Sequence, residues 1–340
     1  MKKILNIGPC FTKGNIKSGG IVVLFEEWLS YCECMSSNSQ TVDSNKKNYR
    51  IKFFAPLSII YKSAKKMKMC DHVMLHGTLN DYQWIAPVIV LLAKIYRKQI
   101  SLRKFAGNFW QYYDNLKGLK KKLVDYALYN ADILFWETHE QVEYFSKIIP
   151  KKSYWFTNVR KRMPLVRPEN RPFQRKFIYL SRIERMKGVE NLKKAFEILG
   201  NGYTLDFYGP LIDYKPEDLS GKNYNYIGAI PSAQVNKVLT EYDVLILPTQ
   251  WKTEGYPGIV MECFNAGIPV IASRIGGIPE LIEDGKNGYL IDPDSTEDII
   301  NSVKKLDFVD YISLSKYAYE SFAKYDADIV NERIMDILNA

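Results

Sequence analysis

The chain has 340 residues, of which 46% are hydrophobic and 25% charged, and its net charge is +9. This composition excludes a mostly disordered protein, and the length favours two domains, because a single hydrophobic core rarely grows beyond about 300 residues. The longest apolar run, residues 85–93, is far shorter than the roughly 20 residues that span a bilayer, so no transmembrane helix is expected.

The positive charge is concentrated in the first half of the chain. Residues 1–165 carry 27 Lys and Arg against 12 Asp and Glu, a net charge of +15, whereas residues 166–340 carry 20 against 26, a net charge of −6. A basic surface favours an acidic partner, such as anionic lipid headgroups, a phosphorylated acceptor or nucleic acid. The alternative interpretation is a solvated surface of scattered lysines.

The first half is predicted to contain short strands with helical stretches between them. The predicted strands are residues 4–7, 50–54, 73–75 and 133–136, and the Ser- and Asn-rich residues 33–49 are predicted as an exposed loop. Gly19 and Gly20 precede a helix-like segment, where backbone N–H groups can approach a phosphate. They form neither a Walker loop nor a Gly-x-Gly-x-x-Gly fingerprint, which disfavours a kinase or a dehydrogenase.

A proline-containing segment separates the two halves. Residues 161–175 include Pro164, Pro168 and Pro172 and have the composition of a linker. After it, apolar strand-like runs alternate with helical patterns, which is typical of a parallel sheet with crossover helices. The predicted strands are residues 177–180, 204–208, 226–227, 244–247, 269–272 and 289–291, and the predicted helices are residues 189–199, 232–240, 257–267 and 322–338. Five cysteines, an odd number without a secretory signal, favour a reducing cytosol.

Two turns of the second half carry residues suited to an anionic ligand. Arg182 and Lys187 flank a turn that leads into a predicted helix, which suits a diphosphate, although a solvated loop is the competing interpretation. In the second turn, Pro257 suits the first position of a helix, and the neighbouring glycines allow close approach to its free N–H groups. Glu262 falls within that otherwise apolar helix and needs a partner such as a ribose diol, unless it lies at the surface.

These motifs resemble the C-terminal domain of glycosyltransferase family 4, retaining enzymes of the group 1 glycosyltransferases. The resemblance covers residues 177–293 and rests on Arg182 with Lys187 and Gly188, then Gly228, then EGYPGIVMECFNAGIPVIAS, then GGIPELIEDGKNGYLI. It implies the GT-B fold, an α/β architecture of two Rossmann-like domains with a cleft between them. The implied domains are residues 1–165 for the acceptor, 166–318 for the nucleotide sugar, and a C-terminal helix, 319–340, that packs back on the N-terminal domain.

The resemblance also implies a role for each matching residue. Arg182 and Lys187 would bind the phosphates of the donor, Glu262 its ribose, and Glu254 the hydroxyls of the transferred sugar, which makes Arg182, Lys187 and Glu254 catalytic candidates. The remaining donor-binding candidates are Gly19, Gly20, Gly255, Tyr256, Pro257, Gly258 and Ile259. The resemblance implies a hexosyl transfer that is metal-independent, needs no cofactor and uses a UDP- or GDP-linked sugar as donor. The triplet Asp292-Pro293-Asp294 resembles a metal-binding Asp-x-Asp but follows the final predicted strand.

The N-terminal half departs from the family pattern at one position. Many family members carry a histidine after a strand in this domain, but the corresponding residues 102–109 contain none. His76, at the end of an earlier predicted strand, is the remaining catalytic candidate, with a structural histidine as the competing interpretation. Arg103, Lys104 and Asn108 become candidates for the acceptor side.

Together these observations predict an enzyme that makes a polysaccharide or glycolipid precursor. We expect it in the cytoplasm and peripherally at the inner face of the cell membrane, with a glycan or lipid-linked sugar as acceptor and the basic half near anionic lipid. One alternative is another GT-B enzyme, such as a sugar-nucleotide epimerase. The other is a basic nucleic-acid-binding protein, which is disfavoured because no RNA or DNA motif is present.

Overall fold

The chain folds into two compact α/β units. The computed structural model describes residues 2–12, 20–35, 39–105, 107–163 and 172–340. The N-terminal unit comprises Met1–Val159 and Ala327–Ala340, and the C-terminal unit comprises Arg160–Asp326. Each unit contains a six-stranded sheet whose strands pair in parallel. The expected fold class, two Rossmann-like α/β domains, is therefore confirmed.

The two sheets have the same kind of strand order. In the N-terminal unit the order is β2-β1-β3-β4-β5-β6, and in the C-terminal unit it is β12-β11-β10-β7-β8-β9. The strands are β1 (Ile4–Gly8), β2 (Gln40–Asp43), β3 (His72–Gly77), β4 (Gln99–Lys104), β5 (Ile133–Trp136), β6 (Lys152–Trp155), β7 (Lys176–Leu180), β8 (Thr204–Tyr208), β9 (Tyr224–Gly228), β10 (Val244–Leu247), β11 (Val270–Ser273) and β12 (Gly288–Ile291). The direction of winding reverses beside β1 and beside β7, and in such sheets ligands bind at the carboxyl ends of the strands at that point.

Helices cover both faces of each sheet. They are α1 (Gly20–Met35), α2 (Ala55–Met67), α3 (Leu79–Trp84), α4 (Ala86–Ile95), α5 (Phe109–Asp114), α6 (Gly118–Asn130), α7 (His139–Ile148), α8 (Val189–Leu199), α9 (Ser232–Leu239), α10 (Gly258–Asn265), α11 (Thr296–Lys305), α12 (Tyr311–Ser321) and α13 (Ala327–Asn339). In the N-terminal unit, α2 to α7 pack over one face of the sheet, and α1 and α13 pack over the other. Both faces of the sheet are therefore buried, as its apolar strands require.

The last helix returns to the N-terminal unit. Buried residues of α13, including Ile334 and Leu338, share a core with Trp28 of α1 and Phe135 of β5. The change of unit falls between residues 159 and 160 and between residues 326 and 327, whereas the sequence analysis places it at 165/166 and 318/319. The expected boundary at 165/166, with Pro164 and Pro168, lies outside the described residues.

The predicted elements agree best with the structure in the C-terminal unit, where each predicted strand overlaps an observed one. In the N-terminal unit, the strand predicted at residues 50–54 is wrong. Lys52–Phe54 form a 3-10 turn instead, because Pro56 in the first turn of α2 starts a helix directly after it. The loop predicted at residues 33–49 contains β2, an edge strand in which only Val42 is buried.

Candidate active site

The loops after β7 and β10 meet at the point where the C-terminal sheet reverses direction. Gly188 has a left-handed φ of 74°, and a Cβ atom there would lie 2.0 Å from the carbonyl oxygen of Pro248. The backbone N–H of Gln250 donates to the carbonyl of Met186 at 2.9 Å. Only glycine allows the two backbones to approach so closely, so residue 188 determines how the two loops pack.

Lys187 and Glu254 form a buried ion pair between these two loops. The side chains of Lys187 and Glu254 are 7% and 16% exposed, and the ammonium group donates to Oε2 of the carboxylate. The hydroxyl of Thr249 donates to the same oxygen at 3.3 Å. Lys187 and Glu254, which the sequence analysis assigns to phosphate and sugar, are thus brought together.

The backbone of Glu254 is held by the loop that follows β11. The N–H of Gly277 donates to the carbonyl of Glu254 at 3.0 Å. Gly276 has a left-handed φ of 55°, and a Cβ atom there would lie 2.1 Å from the same carbonyl oxygen. The GGIPELIEDGKNGYLI motif therefore has a structural role, because its first two residues fix the position of the Glu254 backbone.

Helix α10 begins beside this pair, and its first turn presents backbone N–H groups. Its N-cap is Pro257, and no side chain of the described residues caps the helix there. Gly255, Pro257, Gly258 and Ile259 are partly exposed. Tyr256 differs from them, because its ring is buried and its hydroxyl donates to Glu280. The turn therefore offers a site for an anion, and Tyr256 supports it from inside the unit rather than from the binding surface.

Glu262, one turn further along α10, is paired with Arg160. Nε of Arg160 donates to Oε1 of Glu262 at 2.6 Å, and both side chains are mostly buried. A Cβ atom on Gly258 would lie 2.0 Å from Nη2 of Arg160, so the guanidinium group lies against the first turn of the helix. The partner that the sequence analysis expects for Glu262 is a ribose; in the structure Arg160 occupies that position.

Sequence reasoning missed Arg160 because it lies 102 residues before Glu262 and belongs to no motif. The segment that follows it runs along the same helix: the side chain of Asn265 donates to the carbonyl of Lys161 at 3.0 Å and accepts from the N–H of Met163 at 3.3 Å. A lone buried carboxylate on an apolar helix was the only sequence signal for such a partner.

Arg182 is the most accessible of the predicted cations. Its side chain is 57% exposed and pairs with Glu184 across 2.9 Å, from Nη2 to Oε1. Its carbonyl accepts a hydrogen bond from the hydroxyl of Tyr179 at 2.7 Å, which fixes the backbone at the end of β7. The guanidinium group can therefore turn towards a ligand without loss of its backbone anchor.

Of the two predicted glycines of the N-terminal unit, only Gly20 can be compared with the structure. Gly19 lies outside the described residues. Gly20 is the first residue of α1, and a Cβ atom added there would meet nothing within 4 Å. The structure thus gives no steric requirement for glycine at position 20.

His76 lies in the core of the N-terminal unit rather than at a binding surface. It is fully buried, with its ring 4.9 Å from that of Phe25, 6.1 Å from that of Trp28 and 6.1 Å from that of Phe105, centroid to centroid. Burial, reinforced by the positive charge of Arg103, holds the pKa of His76 well below its ordinary value. This environment favours the structural interpretation over the catalytic one.

Arg103 and Lys104 are also buried, contrary to the exposure that an acceptor-binding role requires. Arg103 donates to the carbonyl of Thr157 at 3.1 Å and lies 3.4 Å from the ring centroid of Phe156. Lys104 donates to the carbonyl of Phe105. Burial lowers the pKa of Arg103 to about 9 and that of Lys104 to about 8.

Asn108, the third acceptor-side candidate, is only partly buried. It is the N-cap of α5, and its side chain does not cap the helix. Of the three candidates it alone remains accessible. The described part of the chain contains no group of three or more His, Cys, Asp or Glu side chains placed to hold a metal ion.

Comparison with known proteins finds a family that is similar to part of the C-terminal half. Residues 166–307 match the family described as glycosyl transferases group 1. The chain is 29% identical over 156 residues to the sulfoquinovosyl transferase SQD2 of Arabidopsis thaliana, covering 44% of this chain and 30% of SQD2. It is 37% identical over 68 residues to the amylovoran biosynthesis glycosyltransferase AmsK of Erwinia amylovora, covering 19% of this chain and 17% of AmsK. The matches thus span a third or less of these relatives.

Solved structures share the fold of the whole chain. HepE of Anabaena in complex with UDP superimposes with a TM-score of 0.71 at 14% identity over 99% of both chains. The apo form of the lipopolysaccharide outer core galactosyltransferase WaaB superimposes with a TM-score of 0.72 at 16% identity, also over 99% of both chains. At this identity the likeness shows the fold, which is GT-B. Over residues 166–307, the chain is similar to the group 1 glycosyltransferases.

Proposed function

We propose that this protein is a retaining, metal-independent glycosyltransferase of family 4. It would transfer a sugar from a nucleoside diphosphate sugar to a glycan or lipid-linked acceptor in polysaccharide or glycolipid biosynthesis. One observation carries the proposal: two ion pairs, Lys187 with Glu254 and Arg160 with Glu262, flank the uncapped first turn of α10. Each pair contains a carboxylate that the family resemblance assigns to the donor.

The proposed chemistry needs charge stabilisation on both sides of the bond that breaks. As the bond between the anomeric carbon and the phosphate oxygen lengthens, the departing diphosphate gains negative charge and the sugar gains positive charge. Lys187, Arg182 and the N–H groups of α10 would stabilise the diphosphate, and Glu254 would bind the hydroxyls of the sugar. Fixed cations and amides would here do what a divalent metal does elsewhere, and no cofactor is required.

Arg160 and Glu262 are proposed to hold the nucleoside. In the structure Nε of Arg160 pairs with Oε1 of Glu262 at 2.6 Å, although both side chains are mostly buried. An ionised carboxylate accepts two hydrogen bonds from a ribose diol at little cost, provided that its orientation is already set. Arg160 is therefore proposed as a positioning residue for Glu262.

The proposed donor carries UDP or GDP. UDP is the first candidate, because HepE, which shares the fold, was solved with UDP. The proposed acceptor class follows from the relatives: SQD2 is named for sulfoquinovosyl transfer and AmsK for amylovoran biosynthesis. Both names are those of sugar-transferring proteins, which supports an acceptor of glycan or glycolipid type.

We also propose a position at the inner face of the cell membrane for the protein. The N-terminal half carries a net charge of +15, which supports attraction to anionic lipid. No helix among the described residues is both long enough and apolar enough to cross a bilayer.

A thermal-shift titration with UDP, GDP, ADP, CMP and NAD tests the donor site. A ligand at 100 times its Kd adds about 2.7 kcal/mol to the free energy of unfolding, which raises Tm by a few degrees. We expect a shift with one nucleoside diphosphate, and its loss in Glu262→Gln and Arg182→Ala.

Matched controls are Glu320→Gln and Arg175→Ala, which change an exposed carboxylate and an exposed guanidinium elsewhere in the C-terminal unit. Both should keep the shift. No shift with any nucleotide, or an equal loss in the controls, would contradict the donor-site assignment. Conversion of a UDP-sugar to its epimer without an acceptor would show an epimerase instead.

A further inference from the structure

One segment of the N-terminal unit combines exposed apolar side chains with an unbroken positive charge. Residues 44–70, here named the basic aromatic segment, contain eight Lys and Arg and no Asp or Glu. The segment includes two 3-10 turns, Lys46–Asn48 and Lys52–Phe54, and then helix α2. The net charge of this 27-residue stretch is therefore +8.

Large apolar side chains of this segment point away from the core. Phe53 is 85% exposed, Leu57 64% and Tyr61 71%. Because residues four apart on a helix share a face, Leu57 and Tyr61 lie on one outward stripe of α2. Phe53 lies in the 3-10 turn before this helix. The opposite face of α2 is buried through Ala55, Ile59 and Met67. The helix thus has one apolar face in the core and a second apolar stripe that no described residue covers.

Neighbouring helices continue this surface. Helix α4 packs against both α2 and α6, and all three lie over the same face of the sheet. Their outward positions also carry large apolar side chains: Ile95 is exposed on α4, and Leu119 and Tyr129 are exposed on α6. Lys120 and Lys121 follow Leu119 directly. Exposed apolar side chains therefore continue from α2 across this helical layer to α6, where Lys120 and Lys121 lie beside Leu119 and Lys121 pairs with Asp125 across 3.5 Å.

We propose that this layer, centred on the basic aromatic segment, docks on the surface of an anionic lipid bilayer. Phe53, Leu57 and Tyr61 would enter the headgroup region, and the surrounding lysines would contact lipid phosphates. Aromatic rings are favoured at this depth, and each basic residue near an anionic surface adds to the attraction. The proposal rests on the proposed function, because a lipid-linked acceptor is what would require the enzyme at a bilayer.

Two other occupants fit the observations less well. A second copy of the chain joined by two-fold symmetry would place this +8 segment against itself, and like charges brought together repel. A nucleic acid would use the lysines and stack on aromatic rings, but it leaves Leu57 and Ile51, both more than half exposed, without a role. Lipid accounts for the aliphatic, aromatic and basic side chains together.

The lysines of the segment differ in the contacts that they make within the N-terminal unit. Nζ of Lys62 lies 4.7 Å from the ring centroid of Tyr49, and Nζ of Lys66 donates to the carbonyl of Thr41 at 2.7 Å. Both therefore stabilise the unit itself. Lys52, Lys65 and Lys68 are exposed, so their charge can be reversed with less effect on folding.

Co-sedimentation of the full chain with vesicles tests the proposal. The vesicles contain phosphatidylcholine alone or phosphatidylcholine with phosphatidylglycerol, and the variants are Phe53→Ser with Leu57→Ser and Lys52→Glu with Lys65→Glu. We expect wild type to bind the anionic vesicles at least about tenfold more tightly than the neutral ones, and each double variant to lose at least about tenfold. Phe308→Ser and Lys222→Glu with Lys237→Glu are the controls.

The control variants change the same residue types as the test variants, but they lie in the C-terminal unit. Phe308 is 88% exposed and Lys222 and Lys237 are exposed, all in the C-terminal unit, so these variants should bind vesicles as wild type does. Equal loss in the controls, or no binding of wild type to anionic vesicles, would overturn the proposal. RNA binding that depends on the lysines but not on Phe53, or a vesicle-free dimer that Phe53→Ser dissociates, would overturn it in favour of that occupant.

The nucleotide shift separates this proposal from the proposed function. Every variant is also titrated with the nucleotide that stabilises wild type, and an unchanged shift shows that the C-terminal unit is intact. Loss of vesicle binding with the shift retained supports the lipid surface. A wild type that binds vesicles but shows no shift with any nucleotide would contradict the donor site and leave the lipid surface standing.

Discussion

Arg160 lies outside every motif, but its contact sets the orientation of a residue within one, Glu262. Its guanidinium group pairs with Glu262 and lies against the start of α10. Removing one partner of a mostly buried pair leaves the other charge uncompensated, and it then turns towards water or changes its protonation. The orientation of Glu262 therefore depends on a residue that lies before the match to the family begins.

We predict that Arg160→Ala weakens nucleotide binding by about tenfold, or about 1.4 kcal/mol. Gly258→Ala should act in the same direction, because its Cβ atom would displace Nη2 of Arg160. Isothermal titration calorimetry with the stabilising nucleotide measures both. Arg175→Ala, which breaks an exposed pair with Asp307, is the control and should bind as wild type does; an equal loss there would show a general effect on folding.

The buried histidines predict how stability depends on pH. Burial lowers the pKa of His72 to about 4 and holds that of His76 well below its ordinary value, whereas both titrate near 6.5 in the unfolded chain. Below pH 6.5 the unfolded chain therefore binds more protons than the folded one. Below pH 6.5, the free energy of unfolding should therefore fall with falling pH by about 1.4 kcal/mol per pH unit for each histidine. Above pH 6.5, neither histidine makes the free energy of unfolding depend on pH.

We predict that His76→Phe reduces the loss of stability between pH 7 and pH 5 by about 2 kcal/mol, because one of the two histidines no longer titrates. Urea unfolding at the two pH values measures this. The variant should also retain sugar transfer at pH 7.5, since His76 lies among aromatic rings. Loss of transfer with unchanged stability would show the catalytic role instead. His139→Phe, at an exposed position, is the control.

At the level of the elements, the contact between the loops after β7 and β10 rests on one glycine. Gly188 combines a left-handed φ with a 2.0 Å approach of its missing Cβ to the carbonyl of Pro248. Backbone atoms cannot move aside as the end of a long side chain can. Any side chain at this position would therefore push the two loops apart, and Lys187 and Glu254 with them.

We predict that Gly188→Ala lowers the free energy of unfolding by about 2 kcal/mol more than Gly285→Ala does. Gly285 also has a left-handed φ, of 78°, but a Cβ atom there meets nothing within 4 Å. The comparison isolates the clash from the cost of the backbone conformation. Urea unfolding of both variants decides it, and equal losses would show that conformation alone requires the glycine.

The elements that sequence reasoning found are those whose residues carry local signals. In the C-terminal unit the predicted strands are apolar runs, and β8 and β10 stop directly before Gly209 and Pro248, which makes their ends predictable. In the N-terminal unit, residues 50–54 have strand-forming residues but face solvent, and β2 has only Val42 in the core. Edge strands and exposed apolar turns carry no burial pattern, so periodicity cannot assign them.

The residues of the candidate site also differ in how well the sequence indicates them. Four residues are predicted as site residues because each lies in a turn or helix with a recognisable motif, and their assignment stays a prediction: Arg182, Lys187, Glu254 and Glu262. Arg160 was missed because its contact with Glu262 spans 102 residues. His76 is a candidate because it ends a predicted strand, and Arg103 and Lys104 because they lie in the segment where many family members carry a histidine. The structure buries all three, and position along a strand does not reveal which of its side chains the core covers.

At the scale of the whole molecule, the last helix completes the N-terminal unit. Ile334 of α13 is fully buried in the core that also contains Trp28 and Phe135. Because α1 and α13 together cover this face of the sheet, the N-terminal unit cannot complete its core before residues 327–340 have been synthesised. Its stability therefore depends on a segment far away in the sequence.

We predict that Ile334→Ala destabilises the N-terminal unit by about 3 kcal/mol, as large-to-small changes in a core do. Hydrogen exchange followed by mass spectrometry should show faster exchange in peptides of α1 and β5 and unchanged exchange in β7 and β10. Ile329→Ala, at an exposed position of the same helix, is the control and should change neither. Faster exchange in both units would contradict separate stabilities.

The two places where the chain changes unit lie side by side. The backbone N–H of Arg160 donates to the carbonyl of Tyr325 at 3.0 Å, residues 160 and 326 pair as a parallel bridge, and Arg162 forms an ion pair with Asp326 at 3.0 Å. Residues 160–326 thus form a unit inserted into the N-terminal one, and the first and last residues of this unit are paired with each other. A chimaera that exchanges residues 160–326 for the equivalent segment of another protein with this fold would therefore cut the chain at two neighbouring points only. On the proposed donor site, such a chimaera is expected to take its donor preference from the exchanged segment.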